Sequence, residues 1–327
     1  MTVRVGVDLG GTKIQTVVVD DDHRVIGQAR HPTPKDRGPA GVAEEIVATV
    51  EEATGEANVK VGDVIGVGIG SPGTSDDAAG TVTQARNVTP DWTRSFELAE
   101  AVSKPLGGLP VRLGNDVKVG TMAEAHLGAG EGHASLLGVF WGTGVGSGIV
   151  LDGAPWSGRG VAGEIGHMVV RLHGALCTCG RHGCVEAYAG RLAMELEARK
   201  LHDKGEHTDL FKIMRKRGRE NLSSGVWARS LEQGDDMAAH LIDRAVSALA
   251  AGIASAVNLL DVEAVVIGGG LGTRLGEPYV ARIRERMHPH LFVDTNPPAV
   301  LPAKLGDLGG AIGAAMQVAQ PEPVTQA

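Results

Sequence analysis

The chain uses one pattern twice: an apolar strand, a Gly-Thr turn and a second apolar strand. In the first copy Val3, Val5 and Val7 alternate with Arg4 and Gly6, Asp8-Leu9-Gly10-Gly11-Thr12-Lys13 makes the turn, and Ile14 to Val19 continues. A third apolar run, Val25 to His31, follows. In the second copy Ser135 to Trp141 leads through Gly142-Thr143-Gly144-Val145-Gly146-Ser147-Gly148 into Ile149 to Leu151. Strand, tight turn, strand predicts a hairpin, and its recurrence far along the chain predicts a diffuse internal duplication rather than a short-period repeat. The length, 327 residues, fits two modest domains or one large one.

Helical patterns lie between these units. Ala40 to Ala53 places Val42, Ile46, Val47 and Val50 on one face, and Asp236 to Leu260 does the same with Leu241, Ala245, Leu249, Ile253 and Val257. Val64 to Ile69, Val111 to Leu113 and Val262 to Ile267 read as short strands, Glu97 to Val102 and Asp116 to Ala125 as helices, and Gly190 to Leu260 as mostly helical. A last helix, Gly310 to Ala319, precedes a tail expected to fray. Alternating strands and helices give an α/β class. Aromatics are only 3% of the chain against 48 Gly, so the core is built from Val, Ile, Leu and Ala around many tight turns.

The charge balance, −8, argues against a nucleic-acid binder, which needs a basic face. The basic run Lys212 to Arg219 reads as a solvated helix end. The most apolar stretch, Ala245 to Leu260, is interrupted by Ser247, Ser255 and Asn258 and reads as a buried helix, not a membrane span. The N-terminus shows no secretory h-region, and an odd number of Cys is not a disulfide framework. The expectation is a cytoplasmic protein.

All three Cys fall within eight residues, and a His precedes them: His167, Cys177, Cys179 and Cys184 form H-x9-C-x-C-x4-C. Zinc takes four N/S ligands in a tetrahedron, and Gly174, Gly180 and Gly183 allow the backbone to gather them. Four protein ligands leave no open position, so the expected zinc is structural rather than water-activating. The competing reading is a loop of free thiols.

Backbone N–H groups in Gly-rich turns suit phosphate oxygens, which makes Gly10 to Lys13, Gly142 to Gly144 and Gly268-Gly269-Gly270 candidate phosphate turns. None matches the G-x-x-x-x-G-K-[ST] loop or G-x-G-x-x-G before a helix, so each alone also fits an ordinary turn. Asn115-Asp116 sits where a strand ends and a helix begins. Asp there serves either as a helix N-cap or as a general base for an attacking hydroxyl. Glu164 and Glu186 flank the Cys/His segment and suit hydrogen bonding to sugar hydroxyls; each alone also reads as a surface acid.

Together these segments resemble the ROK family of sugar kinases and sugar-responsive repressors. The likeness runs from Val3 to Met316 and rests on Asp8 to Ile14, Gly68 to Gly73, Asn115-Asp116, Gly142 to Gly144, Gly163 to His167, Cys177 to Glu186 and Ile267 to Gly270. The Cys segment is the most specific. The resemblance implies an actin-like, hexokinase-like (ribonuclease H-like) fold with two α/β lobes around a cleft. The small lobe would be residues 1–112, completed by a helix at 308–320. The large lobe would be 113–307, with a zinc loop at 164–186, and 321–327 would be a frayed tail.

By the same resemblance, ATP with Mg²⁺ is the phosphoryl donor and a hexose the acceptor. Asp116 is the base for the 6-hydroxyl. Asn115, Glu164, His167 and Glu186 hold other hydroxyls, with Gly73 and Asn87 nearby. Asp8 manages the metal–phosphate charge, Gly10, Gly11, Thr12, Lys13, Gly142, Thr143 and Gly144 face phosphates, and Gly268, Gly269 and Gly270 face the nucleotide. Glucose is the first expectation; N-acetylmannosamine, N-acetylglucosamine, fructose and allose are acceptors of similar relatives. Polyphosphate is a less expected donor. Relatives of this kind are dimers or tetramers.

Two segments depart from the family pattern. Ala189 stands where many relatives have Ser before the Gly, and His202 to Gly234 is longer and more charged than usual. A repressor would need a helix-turn-helix ahead of the first strand, whereas that strand begins at Val3 and Asp116 is present. A zinc hydrolase would need an open coordination position, which a four-ligand site denies.

Overall fold

The computed structural model describes residues 2–319. The last residue of the helix expected at 308–320 and the tail expected at 321–327 lie outside the described residues. The chain divides into two compact units. One runs from the start of the described chain to Glu124 and resumes at Asp307; the other is Ala125–Gly306.

In the first unit β1 (Val3–Leu9), β2 (Lys13–Val19), β3 (Val25–Pro32), β4 (Val64–Ser71) and β7 (Val111–Asn115) form a sheet in the order β3-β2-β1-β4-β7, and β5 (Thr74–Asp76) pairs with β6 (Thr81–Thr83) in a small hairpin. The pairs β1–β2 and β2–β3 are antiparallel; β1–β4 and β4–β7 are parallel. Val5, Val7, Leu9, Ile14 and Ile69 are fully buried, as are Ile46 and Val50 of the helix Gly38–Glu56. The helix Gly309–Met316 lies against β1 and β4 so closely that a Cβ on Gly6 would stand 1.9 Å from the Ala311 carbonyl oxygen, and one on Gly68 1.8 Å from that of Ala314. This helix ends at Met316 and continues as a 3₁₀ turn, Gln317–Ala319, where one continuous helix was expected.

In the second unit β8 (Leu136–Trp141), β9 (Val145–Leu151), β10 (Ala154–Pro155), β11 (Ala264–Gly268) and β12 (Ala299–Pro302) form a sheet in the order β10-β9-β8-β11-β12. Here β9–β10 and β8–β9 are antiparallel, while β8–β11 and β11–β12 are parallel. The two sheets therefore carry the same sequence of pairings: three antiparallel strands, then two parallel ones. That is the duplication expected from the repeated strand–turn–strand pattern.

The helix Asp236–Leu260 is long and apolar enough to cross a membrane by composition. Its apolar side, including Leu241, Ala245, Leu249, Ile253 and Val257, is buried in the core of the second unit. The Asp235 side chain caps its N-terminus by accepting from the Ala238 N–H at 2.8 Å. The charged segment His202 to Gly234 also has an apolar side. Leu210, Phe211, Ile213, Met214, Leu222, Val226 and Trp227 are buried in the same core, while Arg215, Lys216, Arg217 and Arg219 are exposed. The basic run is the solvated end of the helix Leu210–Lys216, as expected.

The division between the units lies after Glu124, not at 112. The reason is β7, which pairs in parallel with β4 along Val67↔Val111 to Ser71↔Asn115 and so keeps Asn115, Asp116 and most of the following helix with the first sheet.

Candidate active site and metal centre

The first unit gathers two carboxylates at strand ends. Asp8 is the last residue but one of β1, and Asp116 follows β7 as the first residue of the helix Asp116–Leu127. Asn115, rather than Asp116, makes the reach of a cap: its Oδ1 accepts from the N–H groups of Val117 and Lys118, both at 3.2 Å. Asp116 Oδ1 accepts from the adjacent Val117 N–H at 2.9 Å, a contact too local to bridge the first turn. Burial of its carboxyl pushes the Asp116 pKa up to about 7, the nearby negative charge of Asp8 adds to the rise, and the backbone N–H contacts oppose it.

Asp8 is similarly hemmed in, although part of its surface is open. Desolvation lifts its pKa to about 6, with Lys13 pulling it down and Asp307 pushing it up. A Cβ on Gly310 would lie 2.9 Å from the Asp8 Cγ, so the start of the C-terminal helix is bare where it meets this acid.

The turn between β1 and β2 is closed by the Gly10 N–H donating to the Lys13 carbonyl at 2.9 Å, and Thr33 Oγ1 donates to the Gly10 carbonyl at 2.7 Å. The N–H groups of Gly11 and Thr12 have no protein partner among the described residues. Lys13 pairs with Asp307 at 3.0 Å. Asn87 is exposed, and its carbonyl oxygen would lie 2.1 Å from a Cβ on Gly11. Gly73 adopts φ +83° under the carbonyl of Thr83. The first unit thus brings Asp8, Gly10, Gly11, Thr12 and Lys13 together with Asn87, and Asn115 with Asp116.

In the second unit the four metal-ligand candidates converge. The ligand atoms of His167, Cys177, Cys179 and Cys184 all lie within 4.8 Å of one another. The sulfurs of Cys179 and Cys184 are 3.7 Å apart, and His167 Nδ1 is 3.8 Å from the Cys177 sulfur. Thiolates about 2.3 Å from a tetrahedral zinc stand about 3.8 Å from each other, so these donors fit the edges of a zinc tetrahedron.

The fold produces this convergence through two isolated bridges, Val169↔Cys184 and Leu176↔His182. It also needs Gly183, which takes φ +82° with the Arg171 carbonyl oxygen 1.7 Å from where a Cβ would be. Cys177 and Cys184 are buried and Cys179 is exposed. Arg181 beside Cys179 holds its thiol down to about 6, while burial pushes that of Cys184 up to about 12 in the polypeptide alone. Because Nδ1 faces the sulfurs, Nε2 is the ring nitrogen of His167 left over for another partner.

Glu186 is fastened to two segments at once. Its Oε2 accepts from the Val145 N–H at 2.9 Å and its Oε1 from Thr178 Oγ1, inside the Cys loop, at 3.0 Å. Its Oε2 would also lie 2.3 Å from a Cβ on Gly144, so only Gly fits there without displacement. Glu164 is exposed, just ahead of the 3₁₀ turn Ile165–His167, and Gly166 packs against the Val145 carbonyl. The second unit thus brings Gly144, Glu186, Thr178 and the Cys/His cluster into one connected group.

The turn Gly142–Gly144 is closed by the Gly142 N–H donating to the Gly144 carbonyl at 3.0 Å. Arg191 Nη2 donates to Thr143 Oγ1 at 2.7 Å. Gly268 ends β11, and Gly269 and Gly270 open the short helix Gly269–Leu275, with Gly269 at φ +80° against the backbone of Trp141. Ser224 Oγ is 3.6 Å from where a Gly270 Cβ would be. Ala189 is fully buried and its backbone carbonyl accepts from the Trp141 indole N–H at 2.7 Å.

Asp307, Thr178 and Arg191 were not singled out in the sequence. Asp307 carries no local signal, Thr178 lies inside the Cys177 to Glu186 segment without a role of its own there, and Arg191 follows the departure at Ala189 without belonging to any of the recognised motifs.

Known proteins resemble this chain over nearly its whole length. The model of the ROK family matches residues 4–320. A glucokinase from Thermotoga maritima is 32% identical over 315 residues, covering 95% of each chain. An N-acetyl-D-glucosamine kinase from Pectobacterium atrosepticum is 30% identical over 324 residues, covering 95% of this chain and 97% of the relative. Among solved structures, a ROK family glucokinase from Streptomyces griseus in complex with glucose and AMPPNP superposes with a TM-score of 0.81 at 32% identity, covering 96% of this chain and 98% of the other. Its fold is that of the actin-like sugar kinases. This chain belongs to the ROK family.

Proposed function

We propose that this protein is an ATP-dependent hexokinase that transfers the γ-phosphoryl group of ATP to the 6-hydroxyl of a hexose, glucose before others. The observation that carries the reading is Asp116: a strand-end carboxyl, desolvated, whose pKa stands near 7 despite the backbone N–H contacts that oppose the rise. A primary alcohol is a weak nucleophile, and a base whose pKa lies near the working pH is suited to accept its proton as the bond to phosphorus forms. The proton passes from O6 to an Asp116 oxygen, the sugar oxygen bonds to the γ-phosphorus, and the bond from that phosphorus to the bridging oxygen of ADP breaks.

Asn115, Glu164, His167 and Glu186 hold the other hydroxyls, with Gly73 and Asn87 shaping the backbone nearby. His167 would use Nε2 for this: with Nδ1 facing the Cys sulfurs and holding zinc, Nε2 would be left as an N–H donor in a fixed orientation. The N–H groups of Gly11 and Thr12, and the turn Gly142 to Gly144, face the phosphates. Gly268 to Gly270 face the nucleotide. Bound magnesium neutralises phosphate charge, and Asp8, a hard oxygen donor beside the open N–H groups of the first turn, is the residue that would hold it. Zinc held by His167, Cys177, Cys179 and Cys184 would brace the Cys loop, with four protein ligands leaving it no open position for the reacting groups. The setting is cytoplasmic carbohydrate metabolism at the head of glycolysis, in a homodimer or homotetramer.

The N-acetyl-D-glucosamine kinase relative favours a second reading, an N-acetylhexosamine acceptor. A coupled assay of ADP release across glucose, fructose, mannose, N-acetylglucosamine and N-acetylmannosamine with ATP separates the two. The highest kcat/KM is expected for glucose. A higher value for an N-acetylhexosamine moves the assignment to that class, and no turnover of any of them removes the kinase reading.

A further inference from the structure

Arg191 is the one cation tied to the turn Gly142–Gly144 by a side-chain hydrogen bond among the described residues. It opens the helix Arg191–Asp203, whose first two N–H groups, those of Arg191 and Leu192, donate to the carbonyls of Gly142 and Thr143 at 3.1 Å each. Those carbonyls therefore point at the helix. The N–H groups of Thr143 and Gly144 are left without a protein partner among the described residues. The guanidinium holds the same turn from its side chain, with Nη2 on Thr143 Oγ1 at 2.7 Å and Nη1 on the Leu222 carbonyl at 2.9 Å.

Two further observations show that this arrangement is incomplete within the protein. The Arg191 Nε–H is buried and has no hydrogen-bond partner. The charge is also unmatched: Arg191 makes no ion pair among the described residues. The acid whose charge acts on it, Glu195, is already committed to Arg199, in a salt bridge and at 3.2 Å to Nε, and to the Leu222 N–H at 2.8 Å. Burial lowers the Arg191 pKa from its usual value, the signature of a cation held out of water. Holding a cation partly out of water without a counter-charge is unfavourable, and an anion arriving at the turn would offset that cost and take the free Nε–H.

We propose that Arg191 is a phosphate-anchoring residue of the nucleotide site, fixing the Gly142–Gly144 turn through Thr143 and supplying the positive charge that the turn itself lacks. The ligand class is a nucleoside polyphosphate. The proposal rests on the kinase reading above. Adenosine, which has no phosphate, gains nothing from Arg191, so the residue confers preference for the phosphorylated nucleotide over the bare nucleoside.

The test is calorimetric titration of the zinc-loaded, full-length protein with ATP·Mg²⁺ and with adenosine. The proteins are wild type, Arg191→Gln, Arg191→Lys and Thr143→Val, each with its melting temperature and its KM for ATP and for hexose. Loss of one charge-assisted contact weakens binding about tenfold or more. Arg191→Gln is accordingly expected to lose that factor for ATP, less than about twofold for adenosine, and to raise the KM for ATP while leaving that for hexose unchanged. Arg191→Lys, which keeps the charge but not the fork, should recover part of the loss. Thr143→Val should lose less than Arg191→Gln.

Equal losses for ATP and adenosine in Arg191→Gln, with a lowered melting temperature and no recovery in Arg191→Lys, would assign the residue a purely structural tie and overturn the proposal. So would unchanged ATP affinity. If Arg191→Gln does not fold, the ratio of ATP to adenosine affinity in Arg191→Lys decides: an unchanged ratio overturns the proposal. A wild-type protein that binds ATP through Arg191 but phosphorylates no hexose would leave the anchor standing and remove the kinase reading instead.

Discussion

The two sheets share an order of strands and a turn at the same place, yet the two turns are furnished in opposite ways. The turn of the first unit stands with two carboxyls, Asp8 and Asp116, whose pKa values burial drives up to about 6 and about 7. The turn of the second unit stands with a carboxylate anchored through both oxygens, Glu186, and with a cation, Arg191, whose Nε–H has no partner among the described residues. Each turn leaves two consecutive N–H groups open: Gly11 and Thr12 in one, Thr143 and Gly144 in the other. On the function proposed above, the duplicated backbone would supply a phosphate-facing turn twice, with the side chains around the first taking the proton and those around the second supplying charge and scaffold.

The largest effect that separates the units is expected at Asp116. Asp116→Asn should lower kcat by about 10²–10⁴-fold, the range of a general base, with hexose affinity largely kept. The same variant sharpens the claim through stability. An acid whose folded pKa is raised from 3.8 to about 7 contributes stability that is present below about 3.8 and is lost as pH rises through about 7. Asp116→Asn should therefore melt higher than wild type at pH 8 and show little advantage at pH 4, measured by scanning calorimetry. A melting temperature lowered at pH 8 would contradict the desolvated acid.

In the second unit the larger effect is expected from the metal. Cys179→Ser should lower zinc from about one per chain to a small fraction and raise the KM for hexose by about tenfold or more, because His167 loses the bond that orients Nε2. Elemental analysis beside steady-state kinetics checks both. Zinc loss with unchanged hexose KM would uncouple the metal from the sugar.

A smaller effect is expected from Gly144→Ala, whose Cβ would lie 2.3 Å from Glu186 Oε2. Forcing Glu186 aside should cost about 1–3 kcal/mol of stability, as overpacking does, read by denaturant unfolding. It should also raise the KM for ATP. The least effect is expected from Asp307→Asn, which removes the exposed partner of Lys13 and should change stability by less than about 1 kcal/mol.

Much of this contrast is legible in the sequence, and the part that is not has a physical reason. The strand–turn–strand repeat, the apolar face of Asp236–Leu260 and the spacing of His167, Cys177, Cys179 and Cys184 are local patterns, and local patterns survive as periodicity or spacing. Asp116 was visible as an acid at a strand end, but whether it capped its helix was not, because Asn115 competes for the same N–H groups and only the side-chain torsions decide. The place of β7 in the first sheet was missed because parallel pairing with β4 is a long-range contact that leaves no mark in five residues. The dual attachment of Glu186 and the unmatched charge of Arg191 depend on segments remote in sequence meeting at a turn, and no spacing rule encodes that.

The most direct test of the division of labour is the pH dependence of kcat/KM for hexose at saturating ATP·Mg²⁺. The account predicts an acid limb with an inflection near 7, belonging to Asp116, as its carboxyl ionises to accept the proton of the 6-hydroxyl. A profile flat from pH 5 to 8 would contradict it and show that no raised carboxyl carries the proton.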